Sequence, residues 1–164
     1  MPERDYVGDT LEIGYRGVFD FDGLYKTLSR WFQQHGYYFR ELDYKEYKED
    51  GVQKLQVKWG GMKKMTDYAK YMIEVTLMLD GMTEVLVKNK KRLSGGLSIK
   101  IAGYIEKDYE ETWSRTKIVK FLREAYDQFI VGSKMREMRD ELTKDMQMFR
   151  NEVKTFLNLR KMEK

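Results

Sequence analysis

Between Tyr37 and Ile105 polar and apolar residues alternate with a period of two, and this pattern restricts the chain more than any other feature in it. In YYFRELDYKEYKEDGVQKLQVKW, Leu55, Val57 and Trp59 face one way and Lys54, Gln56 and Lys58 the other, with a turn around Glu49, Asp50 and Gly51. DYAKYMIEVTLML repeats the pattern through Tyr71, Ile73, Val75, Leu77 and Leu79. Asp80 and Gly81 read as a turn into MTEVLVK, and after Lys88 to Arg92 the segment LSIKIAGYI sets Leu97, Ile99, Ile101 and Ile105 in phase. Five consecutive strands with short turns predict an antiparallel meander with one wet face rather than a βαβ series.

Helical periodicity flanks this segment. LEIGYRGVF reads as a strand carrying Leu11, Ile13 and Tyr15 on one face, and FDGLYKTLSRWFQQHG then places Phe21, Leu24, Tyr25, Leu28, Trp31 and Phe32 at helical spacing. Asp20 or Asp22 stands at the N-cap and Gly36 where a left-handed C-terminal cap belongs. TKIVKFLREAYDQFI predicts a second helix with Ile118, Phe121, Leu122, Ala125, Phe129 and Ile130 on one stripe, interrupted at Gly132-Ser133. A third helix runs from Ser133 to about Glu163. At 1.5 Å per residue it spans about 46 Å, more than the roughly 30 Å of a small domain. Met135, Leu142, Phe149 and Phe156 repeat every seventh residue, with Met146 and Val153 at the intervening heptad position.

The expected architecture is therefore α+β: a five- to six-stranded antiparallel meander, one helix after strand 1, and two C-terminal helices, the last long and coiled-coil-like. Residues 1–131 make up the α+β domain and residues 132–164 the long helix. A stripe of Met135, Leu142, Met146, Phe149, Val153 and Phe156 left in water would be an unusually large apolar surface, which predicts an oligomer interface or docking on a partner protein. The alternative is that the helix's first half packs across the sheet of the same chain.

With 164 residues the chain is long enough for one domain with a substantial core, and 41% hydrophobic and 14% aromatic residues argue against disorder despite 35% charged residues. Cysteine is absent, which removes disulfides, thiolate metal sites and cysteine nucleophiles together and favours an intracellular, cytoplasmic setting. No stretch approaches the ~18 apolar residues of a membrane span. The 31 basic and 27 acidic residues give a net charge of +4 with both signs mixed, an ordinary solubility balance.

Few motifs carry chemistry. VFDFDGLY contains the DxDG of haloacid-dehalogenase-type phosphatases, in which Asp20 would be the nucleophile and Asp22 its acid/base partner. That chemistry needs a buried parallel strand before the motif, yet this one carries Gly14, Arg16 and Gly17, and Leu24 stands where those phosphatases have Thr. Asp108, Glu110 and Glu111 could imitate their second acidic site. The helix-cap role suits Asp20 or Asp22 better, and the chain is read as a non-catalytic interaction or binding module that needs no cofactor or metal. His35 is the single histidine and sits near the first helix's C-terminus, so a histidine metal cluster is impossible. Gly60-Gly61 and Gly95-Gly96 are pairs that mark turns or bulges rather than a phosphate loop. Lys88, Lys90, Lys91 and Arg92 form the one run with a possible nucleic-acid role, through phosphate contacts, although such runs commonly keep loop tips soluble.

The order FDFDGLYKTLSRWF, a Trp-ended strand and DYAKYMIEV resembles a group of small uncharacterised archaeal α+β proteins. The resemblance runs from about Gly17 to Ile130 and implies a recurrent domain with no assigned activity. More loosely, strand, helix, meander and helices is similar to the helix-grip, START-like arrangement, in which a sheet curls around a long C-terminal helix. That likeness implies a cavity for a small apolar ligand.

Overall fold

The computed structural model describes residues 3–66, 69–107 and 132–161. In chain order the elements are β1 (Glu3–Tyr6), β2 (Leu11–Phe19), α1 (Phe21–Gln34), β3 (Tyr38–Glu49), β4 (Val52–Lys64), β5 (Ala69–Val87), β6 (Lys90–Lys107) and α2 (Gly132–Lys161). The helix predicted over Thr116–Ile130 and the acids Asp108, Glu110 and Glu111 lie outside the described residues.

Two-residue turns build the meander. Asp50 and Gly51 join β3 to β4, Lys88 and Asn89 join β5 to β6, and all four have positive φ, as the turn that follows strand twist requires. Asp80-Gly81 behaves differently from its predicted role. Asp80 pairs with Gly96 and Thr83 with Ser94, so the dipeptide is a bulge inside one 19-residue strand, and MTEVLVK is the second half of β5. Space is set aside for it on β6: a Cβ on Gly95 would come 2.8 Å from the Asp80 carbonyl oxygen. The predicted five-strand meander is thus four long strands.

The sheet has six antiparallel strands in the order β1-β6-β5-β4-β3, with β2 also on β6. β1 pairs with Tyr104–Lys107 and β2 with Leu93–Ile101, so the two occupy the same side of β6 one after the other. β1 was not legible in the sequence, and α1 accordingly follows the second strand, not the first. From β2 the chain crosses by α1 to the opposite edge at β3 and returns strand by strand.

Alternation puts Leu55, Val57, Trp59, Tyr71, Ile73, Val75, Leu77, Leu79, Ile99 and Ile101 on an inner face, all buried. α1 covers part of it with Leu24, Leu28, Trp31 and Phe32. α2 covers more, through Met135, Met138, Leu142, Met146, Phe149, Val153 and Leu157, and the Phe149 ring lies 5.1 Å from both Trp31 and Phe32. Close approach is achieved by omitting side chains: a Cβ on Gly61 would strike Phe32, and one on Gly103 would strike Met146.

This corrects the reading of residues 132–164 as a projecting coiled coil. Met135, Leu142, Met146, Phe149 and Val153 are buried within one chain and Phe156 packs on the same core. The reason lies in the strands. At about 3.3 Å per residue β5 and β6 each extend for about 60 Å, longer than the roughly 45 Å of α2, so the helix has a surface as long as itself.

Candidate functional site

α1 starts at one end of the inner face and runs toward the other; α2 returns alongside it, from Asp145 beside Tyr37 to Phe156 beside Gly23. The two ends differ. At the far end the Tyr37 hydroxyl donates to Asp145 Oδ2 at 2.7 Å and the Tyr71 hydroxyl to Glu141 Oε2 at 3.1 Å, two carboxylates one turn apart on α2. Burial first, and then the facing carboxylate, pushes both phenols well above the usual tyrosine range. Lys63 Nζ lies 5.5 Å from the Tyr37 ring, and Asp5 on β1 binds Arg139 of α2. His35, predicted near the helix C-terminus, is the C-cap residue; its Nδ1 lies 2.9 Å from the Trp31 carbonyl and its ring stacks on Trp31.

At the α1 start the described residues leave a cavity of about 350 Å³. Phe21, Leu55, Met82 and Leu93 supply apolar walls, Tyr44 and Gln53 stand on β3 and β4, and Asp20, Asp22, Glu46, Glu84, Lys91 and Arg92 supply charge. Strand alternation explains the membership: Tyr44 pairs with buried Val57 and Glu46 with buried Leu55, so both belong to the inner face beyond the reach of the helices. The bulge at Asp80/Thr83 bends β5 where Met82 and Glu84 enter. Burial, with Glu46 nearby, raises the Tyr44 phenol as well.

Two stretches remote in sequence meet here. Asp20 is the N-cap of α1, accepting from the Gly23 N–H at 3.1 Å, and it faces Arg92 at 3.8 Å. Asp22 occupies the first turn. Among the described residues no three His, Cys, Asp or Glu side chains are grouped as metal ligands. The basic run is divided by its backbone: Lys88 sits in the turn, Lys90 opens β6, and Lys91 and Arg92 line the cavity. Both glycine pairs lie inside strands beside bulges, Gly60 beneath the Leu42 side chain of the Glu41/Asp43 bulge and Gly95 opposite Gly81.

A second hollow, of about 580 Å³, lies between Gly14 and Gly96, with Arg16, Lys54, Met78, Asp80 and Ser98 around it. Among the described residues no helix is long and apolar enough to cross a membrane.

Sequence reasoning singled out Asp20, Asp22, Lys91 and Arg92 but did not bring them together, and it missed Tyr44, Glu46, Met82 and Glu84. Once the faces of β3 are assigned, Tyr44 and Glu46 follow from alternation. Met82 and Glu84 required knowing that Asp80-Gly81 is a bulge.

No family model matches the chain, and no curated protein matches it. Among solved structures, an uncharacterised protein from Rhizobium leguminosarum aligns over 91% of this chain and 97% of its own, with 10% identity and a TM-score of 0.19. A likeness at that level carries no argument about fold or function. The resemblance to small archaeal proteins finds no counterpart in these comparisons.

Proposed function

We propose that this chain is a non-catalytic binding domain of helix-grip type that takes a small molecule with an apolar body and a polar head into the open end of its inner face. The observation that carries this reading is the 350 Å³ cavity, where an apolar wall of Phe21, Leu55, Met82 and Leu93 meets charged groups of both signs. Ligand sites commonly combine an apolar lining with a few placed polar groups, in volumes of about 300–1,000 Å³. The first strands beside the last one, a helix crossing to the far edge, a returning meander and a closing helix follow the helix-grip order. Unlike a hollow grip, the middle of this one is filled by Trp59, Phe32 and Phe149, and among the described residues the room on the inner face lies at the mouth.

Nucleic-acid binding through Lys88, Lys90, Lys91 and Arg92 has less support. Arg92 is engaged by Asp20, and Lys91 shares the mouth with Asp22, Glu46 and Glu84. Self-association along the α2 stripe has less support, because Met135, Leu142, Met146, Phe149 and Val153 are buried within the chain.

Anilinonaphthalene sulfonate, an apolar ring system with an anionic head, tests the mouth. The folded chain is expected to bind it, and Met82→Trp, which fills the cavity, to weaken binding at least about tenfold with near-ultraviolet dichroism unchanged. Equal binding by the filled variant would refute the site.

A further inference from the structure

The far edge of the sheet is β3, and among the described residues nothing pairs with its outward side. Ten of its twelve residues are exposed, and Tyr38, Leu42 and Tyr44 stand among the exposed large apolar side chains. A long open edge is a template for another strand. Its sequence restricts which strand fits. The second half reads Tyr44-Lys45-Glu46-Tyr47-Lys48-Glu49, charges alternating in sign about a central tyrosine.

We propose that β3 pairs with β3 of a second copy of this chain, antiparallel about a two-fold axis through Tyr47. In that register Tyr47 stands opposite the partner's Tyr47, Glu46 opposite the partner's Lys48, and Lys45 opposite the partner's Glu49. The two-fold repeats each charge pair, so all four flanking positions join opposite signs, an arrangement that stabilises directly opposed strand residues. Moving the axis one residue back sets Glu46 against the partner's Glu46; one residue forward sets Lys48 against the partner's Lys48. Like charges directly opposite are unfavourable, so the pattern disfavours both neighbouring registers. An axis between residues would bring inner-face side chains opposite outer-face ones.

Position on the strand helps. Tyr44–Glu49 is the tip half of the β3–β4 hairpin, so pairing there joins two hairpins end-half to end-half. Tyr47 lies opposite Lys54 on the outer face, whereas Glu46 lies opposite buried Leu55 on the inner one. Pairing therefore brings the partner's Lys48 to Glu46 on the rim of the mouth. The contact does not depend on what the mouth holds.

Sedimentation of the full chain at micromolar to submillimolar concentration is expected to show a reversible monomer–dimer equilibrium. Lys45→Glu with Lys48→Glu makes every flanking pair acidic and should give a monomer; Glu46→Lys with Glu49→Lys makes every pair basic and should do the same. An equimolar mixture of the two variants should restore the dimer as a heterodimer, and the fourfold exchange of all these signs should restore a homodimer. All four residues are exposed, so circular dichroism should report the same fold throughout. A monomeric wild-type chain, a dimer indifferent to both double variants, or a mixture that stays monomeric overturns the pairing.

Discussion

The two ends of the inner face are built from the same elements to different outcomes. At the Tyr37 end two phenols, one from the approach to β3 and one from β5, meet carboxylates from α2. At the Asp20 end the polar groups come mostly from strand ends and the helix start, and the two described helices leave them lining an open cavity. Matched donors and acceptors let one end close. Surplus charge beside an apolar wall keeps the other open, since burying it unpaired would cost more than the exposed wall loses.

Removing the ring that plugs the middle should have the largest effect. Phe149→Ala leaves a void between Trp31 and Phe32 and should destabilise the chain by about 3–5 kcal/mol in urea unfolding. A loss under about 1 kcal/mol would mean that the middle is not packed as described. Tyr37→Phe deletes the donor to buried Asp145 and should cost about 1–3 kcal/mol, with near-native behaviour at the mouth.

Alkali probes the same contact without mutation. Folding raises the phenols of Tyr37 and Tyr71, and pushes those of Tyr25 and Tyr104 up to about 12, burial being the main cause in each. A raised phenol means that the folded chain holds its proton more tightly than the unfolded one. This contribution is therefore complete below the ordinary tyrosine value near 10 and is lost as pH rises through the folded values. The melting temperature should fall between about pH 10 and 12. It should fall less steeply in Tyr37→Phe.

Smaller effects belong to the mouth. Asp20→Ala removes the α1 cap and the partner of Arg92 and should cost about 1 kcal/mol. Glu84→Gln should change stability by no more than about 0.5 kcal/mol while strengthening binding of the sulfonate probe. A mouth variant that destabilised the chain as much as Phe149→Ala would erase the contrast between the ends.

Most of the sheet could be read from the sequence because alternation reports which face is buried. Lengths were less legible. Asp50-Gly51 and Asp80-Gly81 are the same dipeptide with positive φ at the glycine, yet the first reverses the chain and the second lets it continue. What decides is the partner strand, since Gly95 and Gly96 on β6 leave room for the bulge. The apolar stripe of α2 was visible in the sequence, whereas the length of the strands it lies across was not. The Tyr37–Asp145 and Tyr71–Glu141 contacts join residues 108 and 70 positions apart, and no local pattern encodes them.

The place of α2 in the chain also bears on synthesis. Every described strand of the sheet precedes it, so the ribosome makes the part of the inner apolar face that α1 does not cover before it makes α2. With Lys107 ending β6 and Met135 beginning the buried stripe, the interval at about 5–20 residues per second lasts seconds. For that time the part of the inner face that α2 covers in the folded chain, around Gly103 and Ile101, waits for its partner.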